Sequence, residues 1–151
     1  MIRTSKRLRL CTILLIAILL FIWGNSLLPA SASQAFSDWV HNLLLGERPA
    51  SDESASSGLL RKIAHFTEFA ALGMCLAWLF GMLGKGKLLP FVCGAAAACV
   101  DETIQLFVPG RGPGLLDVGI DCCGVLCGMI LLCLGHTYGK QIFSDQSLED
   151  T

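Results

Sequence analysis

The sequence predicts an all-α fold: a polytopic membrane bundle of four helices, N-in/C-in, with a short interfacial helix in its first outer loop. Three observations carry that prediction. The 151 residues are 54% hydrophobic against 15% charged, above the roughly 45–50% apolar share of soluble domains, and the mean hydropathy is +0.65. Segments 10–28, 63–83, 88–108 and 115–135 each reach the roughly 20 residues needed to cross a hydrocarbon core about 30 Å thick. Turn-forming residues punctuate them. The chain is long enough for one compact domain. Its net charge of -1 gives no argument for a nucleic-acid partner, which would need a basic surface to neutralise phosphates, and none is expected.

Residues 1–9 form a basic tail with Arg3, Lys6, Arg7 and Arg9. The first span, 10–28, has a rival reading as a cleaved signal peptide, because a Leu/Ile-rich core and the Ala30-Ser31-Ala32 triplet follow those charges. Against that rival, the apolar run continues through Trp23 to Leu28 and leaves almost no polar region before the cut. A retained helix is the expectation. Residues 29–60 then form a loop in which Phe36, Trp39, Val40, Leu43 and Leu44 recur at helical spacing, predicting an interfacial helix over 36–45. The polar, Ser-rich stretch 47–58 reads as a flexible link.

The core follows over 61–135. Gly84-Lys85-Gly86-Lys87 separates the second and third spans, and Pro109-Gly110-Arg111-Gly112-Pro113-Gly114 separates the third and fourth. Such short turns force antiparallel neighbours. Pro90 falls in the first turn of its span, where a missing N–H is harmless. Residues 136–151 form the second tail. Seven of the eleven Lys and Arg residues fall in the two tails and the Gly84 to Lys87 turn, which places both termini in the cytoplasm by the excess of positive charge there. The loop 29–60 and the Pro109 to Gly114 turn then face outward.

All eight cysteines lie in apolar runs, where free Cys acts as a small hydrophobe. The Cys122, Cys123 and Cys127 cluster reads as packing filler, since no paired CxxC or adjacent His supports zinc. Gly124 and Gly128 form a small-xxx-small pair, a close helix-packing face.

Ionised side chains near a bilayer centre cost about 2.5–3.5 kcal/mol each on insertion scales. The second span holds His65 and Glu68, the third Asp101, Glu102 and Gln105, and the fourth Asp117 and Asp121. Spacings of three and four put each set on one side of its helix. At 1.5 Å per residue from Arg61, Val108 and Leu115, Glu68, Glu102 and Asp121 lie roughly 9–10 Å deep, with His65, Gln105 and Asp117 roughly 3–6 Å deep. Matching depths on antiparallel helices predict one outward pocket, rimmed by Arg61, Lys62 and Arg111. Those three cations face five carboxylates (Glu68, Asp101, Glu102, Asp117 and Asp121), leaving an excess of two negative charges with His65 neutral. Either some carboxyl groups keep their protons in the buried layer, or a hard cation such as Mg²⁺ or Ca²⁺ balances them, with Glu102, Asp117 and Asp121 as its ligands. The plainer reading is interhelical glue.

The same residues carry a family likeness. The block from Arg61 through His65 and Glu68 to Gly73, and the block from Asp101-Glu102 through Gln105, Pro109 and Arg111 to Asp117, Asp121 and Gly124, resemble the two polar segments of the VanZ-like membrane proteins of bacteria. The likeness also takes in Gly24-Asn25-Ser26-Leu27, so that it covers most of residues 20–135 and favours a retained first helix. Phe69 departs from relatives that carry Tyr there. The resemblance implies a cell-envelope protein, and some members of the family are associated with antibiotic resistance, to glycopeptides such as teicoplanin. It brings a phenotype rather than a reaction.

Three functions compete on these grounds. In the first, the pocket of Arg61, Lys62, His65, Glu68, Glu102, Gln105, Arg111, Asp117 and Asp121 binds an envelope glycolipid or a lipidated glycopeptide antibiotic. In the second, a metal- or His-assisted hydrolase or transferase acts on a lipid-linked phosphate, with His65 or Glu68 as the catalytic acid/base and Arg111 stabilising developing charge. No nucleophile elbow, Walker loop or HExxH motif supports it. In the third, the chain is a structural component of an envelope complex.

Overall fold

Backbone amides inside hydrocarbon have no water to pair with, so each apolar segment closes its own hydrogen bonds as a helix. The structure, a computed structural model, describes residues 2–45, 53–112 and 114–149. Among these, all regular structure is helical: α1 (Ile2–Ser26), α2 (Ala30–Leu45), α3 (Glu53–Met82), α4 (Leu88–Gln105) and α5 (Leu115–Glu149). Four stretches are long and apolar enough to cross a membrane: Ser5–Ser26, Gly58–Met82, Leu88–Gln105 and Leu115–Thr137. Large apolar side chains such as Leu20, Phe21, Ile130 and Leu131 point out of the bundle. Lipid suits that surface, and water does not.

The helix ends differ from the sequence expectation for local reasons. α1 stops at Ser26 rather than 28 because Pro29 disfavours helical backbone in the residue before it, and the Leu28 amide bonds the Asn25 carbonyl in a tighter turn (3.2 Å). α4 stops at Gln105 rather than 108 in the same way, with Phe107 and Val108 donating to Ile104 and Gln105 ahead of Pro109. Helix α3 starts ten residues before the expected span. Residues 53–58, read from sequence as part of a flexible link, are its first turns; the rest of that link, 47–52, lies outside the described residues. Extending an existing helix adds one bond per residue, so polar residues join it readily. α2 occupies 30–45 rather than 36–45, and packs against α3.

Helix α3 is the hub, packing on α1, α2, α4 and α5. Gly84 ends it with a φ of +65°, and the Lys85 amide reaches back to the Phe80 carbonyl at 2.9 Å, a cap that a left-handed glycine makes possible. The core joins α1, α3, α4 and α5 through Ile22, Phe69, Leu72, Leu76, Ala97, Ala98 and Val125. Cys11 and Cys75, both buried, pair side by side with their sulfurs 3.9 Å apart, and all eight cysteines are free thiols.

The closest approach is between α3 and α5. A methyl group on Gly128 would run into the Ala70 carbonyl, and one on Gly73 would run into the Val125 carbonyl. The two backbones therefore touch. Gly81 and Gly135 have open space around the same position. Gly128→Ala and Gly73→Ala are expected to destabilise the bundle by about 1–3 kcal/mol, the usual range for overpacking. Gly81→Ala and Gly135→Ala should melt at or above the parent temperature; thermal unfolding in detergent micelles compares all four.

Candidate functional site

The polar residues of three spans converge at the end of the bundle that carries the 106–114 turn. Asp101 and Gln105, one turn apart on α4, are both buried, and the Gln105 amide nitrogen donates to Asp101 Oδ2 at 2.9 Å. It also lies 3.4 Å from Ser26 Oγ, buried on α1. Asp121 on α5 is 1% exposed. His65 on α3 faces both acids, with its Nδ1 atom 3.7 Å from Asp101 Oδ2 and 3.9 Å from Asp121 Oδ1. These separations exceed hydrogen-bond length. Asp101 Oδ1 and both oxygens of Asp121 are buried with no hydrogen-bond partner, and among the described residues no Lys or Arg pairs with either acid.

A second group lies beside this one. Asn25 donates from Nδ2 to Glu68 Oε1 at 2.9 Å, joining α1 to α3. Arg111 spans from the turn to the end of α1, its Nε and one terminal nitrogen donating to the carbonyls of Leu28 and Asn25, each at 3.0 Å. The other terminal nitrogen of Arg111 and the second oxygen of Glu68 are buried without partners. Both residues line a cavity of about 310 Å³ whose walls include Phe21, Leu28, Ile63 and His65. Burial, and next the charge of Arg61, push the Arg111 pKa below its ordinary value, while Asp101, Glu102 and Glu68 pull it back up. An arginine starts so high that it stays charged.

Glu102 serves the turn. Its Oε2 atom accepts the Gly114 amide at 3.0 Å, which anchors the start of α5 to α4. Asp117 sits in the first turn of α5, where a carboxylate complements the helix dipole. Glu102, Asp117, Arg61, Lys62, His65, Gln105 and Asp121 line a narrow cleft of about 10 Å³, room for about one water or one monatomic ion.

The sequence-predicted residues are thus gathered at one end of the bundle, with a different internal grouping. The groups whose donor atoms converge, all within 4.8 Å of one another, are His65, Asp101 and Asp121, not the set Glu102, Asp117 and Asp121. Adjacent positions on a helix point about 100° apart, and α4 turns Asp101, rather than Glu102, toward His65 and Asp121. Asn25 and Ser26 were read only as part of a family likeness; their polarity at the end of an apolar run was the available signal.

A family model described as VanZ/LLP1 matches residues 11–136. No curated protein and no solved structure matches the chain.

Removing the Glu102 carboxylate leaves the Gly114 amide without its partner, a loss of about 1–3 kcal/mol when the group is buried. Glu102→Ala should therefore raise amide hydrogen exchange over 106–116 while leaving exchange at the opposite end of the bundle unchanged. Arg111→Lys should loosen the same turn and residues 25–29, because an ammonium cannot reproduce a fork that serves two carbonyls at once.

Proposed function

The chain belongs to the VanZ-like family, and from that premise and the geometry of its pocket we propose that it is a bacterial cell-membrane protein of the envelope that binds the anionic headgroup of a glycolipid. The observation that carries this reading is the cavity between α1 and α3. There a charged arginine with a spare donor and a carboxylate with a spare acceptor sit against Phe21, Leu28, Leu60 and Ile63. One wall takes phosphate and sugar hydroxyls, and the other takes the first part of a lipid chain. Buried polar groups left without partners cost stability, so a ligand that pairs with them gains what the empty site loses.

Volume sharpens the choice of ligand. About 310 Å³ is at the low end of ligand pockets, roughly 300–1,000 Å³, enough for a headgroup and too little for an entire glycopeptide. A lipidated antibiotic such as teicoplanin would be engaged only through its tail or one edge, and any contribution to resistance would act by that route or through the glycolipid itself. The same reading has the 106–114 end facing outward, both termini in the cytoplasm, and α2 lying in the interface with exposed Trp39 and Leu43 toward lipid. The excess of Lys and Arg in the tails and the Gly84 to Lys87 turn supports that orientation. α1 is retained, since Asn25 and Ser26 supply partners to Glu68 and Gln105. Enzymatic action on a lipid-linked phosphate is the second reading, favoured by the placement of His65 near Asp101.

Native mass spectrometry of the purified chain with undecaprenyl phosphate, a lipid-linked disaccharide and teicoplanin tests the proposal. The lipid phosphates should bind, and Arg111→Ala and Glu68→Ala should each weaken them at least tenfold, about 1.4 kcal/mol. Equal binding by parent and variants rejects the pocket, and release of a dephosphorylated or transferred product moves the reading to an enzyme. In cells, an impermeant thiol reagent should label a cysteine placed at Gly112 and leave one placed at Gly86 unlabelled; the reverse pattern rejects the orientation.

A further inference from the structure

We propose that His65, Asp101 and Asp121 hold a divalent first-row transition cation. The inference does not rest on the glycolipid reading, because its carboxylates, Asp101 and Asp121, lie outside that cavity and only His65 is common to both.

The geometry comes first. Each group comes from a different helix, α3, α4 and α5. The Nδ1 atom of His65 stands 3.7 and 3.9 Å from its two carboxylate neighbours, too far to hydrogen-bond to either. A shared cation spans that gap, because metal bonds of about 2.0–2.2 Å place two donors no more than about 4.4 Å apart. One oxygen of each acid lies within that reach of His65, and the donor atoms of all three residues form one group.

The second observation is unmet bonding capacity. Asp121 is 1% exposed, Asp101 is fully buried, and three of their four oxygens accept no hydrogen bond. The fourth, Asp101 Oδ2, is held by Gln105, the kind of outer partner that orients a ligating carboxylate. Two carboxylates that no Lys or Arg pairs with among the described residues carry the charge that one divalent ion cancels. The adjoining cleft has space for one small ion or water.

The donor set selects the ion. Mg²⁺ and Ca²⁺ take oxygen ligands, whereas an imidazole with two carboxylates suits Mn²⁺ and Zn²⁺. Three protein ligands would leave at least one coordination position for a water or an incoming ligand.

Manganese is the better probe, because eight cysteines compete for zinc through soft thiolates. The experiment titrates Mn²⁺ into the full chain in detergent, after treatment with chelator, and follows it by electron paramagnetic resonance. The parent should bind one Mn²⁺ per chain with nitrogen coupling from a single imidazole, and should melt at a higher temperature with Mn²⁺ than with chelator. His65→Gln should lose the nitrogen coupling, His65→Gln and Asp121→Asn should each bind at least tenfold more weakly, and both should lose the Mn²⁺-dependent melting shift. His136→Gln, at an exposed histidine outside the cleft, should keep the parent affinity and the nitrogen coupling. No uptake by the parent, bound Mn²⁺ without nitrogen coupling, or loss of binding on His136→Gln with His65→Gln unaffected would each overturn the proposal. The measurements on the parent stand even if a variant fails to fold.

Discussion

Backbone contact between α3 and α5 governs the geometry of everything above it. Gly128 lies against the Ala70 carbonyl, Gly124 against that of Phe66, and Gly73 against that of Val125. Helices in lipid gain little from hiding apolar surface, so small residues that let backbones touch decide which faces meet. Once that seam is fixed, Asp121 lies three residues before Gly124 on α5, and His65 precedes Phe66 on α3. The two are turned toward each other by the helical repeat. Val125 then fills the space against Gly94, bringing α4 close enough for Asp101 to complete the group. A side chain added at the seam would shift the polar cluster before it changed any polar residue.

Electrostatics divides the polar end into two parts with different demands. Arg111, tied to the carbonyls of Leu28 and Asn25, puts fixed positive charge over the α1–α3 cavity and spends two of its donor groups on structure. Among the described residues, no Lys or Arg forms an ion pair with Asp101 or Asp121. Burying an ion costs several kcal/mol even after relaxation, so a pair of acids with open oxygens is stable only if protons or a cation accompany them. The first part is therefore suited to an anion, and the second to a positive charge. A phosphate bound at Arg111 and a cation bound at His65 would stabilise each other across the imidazole, which lines the cavity as well as the acid cluster.

How much of this was legible in the sequence follows from which interactions are local. The four spans come directly from runs of apolar residues and their turns, and spacing placed His65 with Glu68 and Asp117 with Asp121 on common faces. The Gly124 and Gly128 pair was readable as a packing face, though not its partner helix. The rotation of α4 about its axis was not readable. It decides which of two adjacent acids faces α3 and α5, and it turns Asp101 into the cluster and leaves Glu102 to hold the Gly114 amide. The start of α3 was missed because a polar, Ser-rich stretch reads as a link, whereas a helix anchored in lipid propagates through Ser and Ala.

The roles of Asn25 and Ser26 show the same limit from the other side. Each is a weak local signal, one amide and one hydroxyl at the end of an otherwise apolar helix, and neither is expensive enough to demand an explanation alone. Their meaning arises from what they meet: Glu68 and Gln105, which are forty or more positions away. With α1 in place, one carboxylate oxygen of Glu68 is satisfied and the other is left for the cavity, while Gln105 is held where it can orient Asp101. The first helix thus acts on both halves of the site without carrying a charge of its own in that layer. It sets which atoms of the acidic helices remain available to bind.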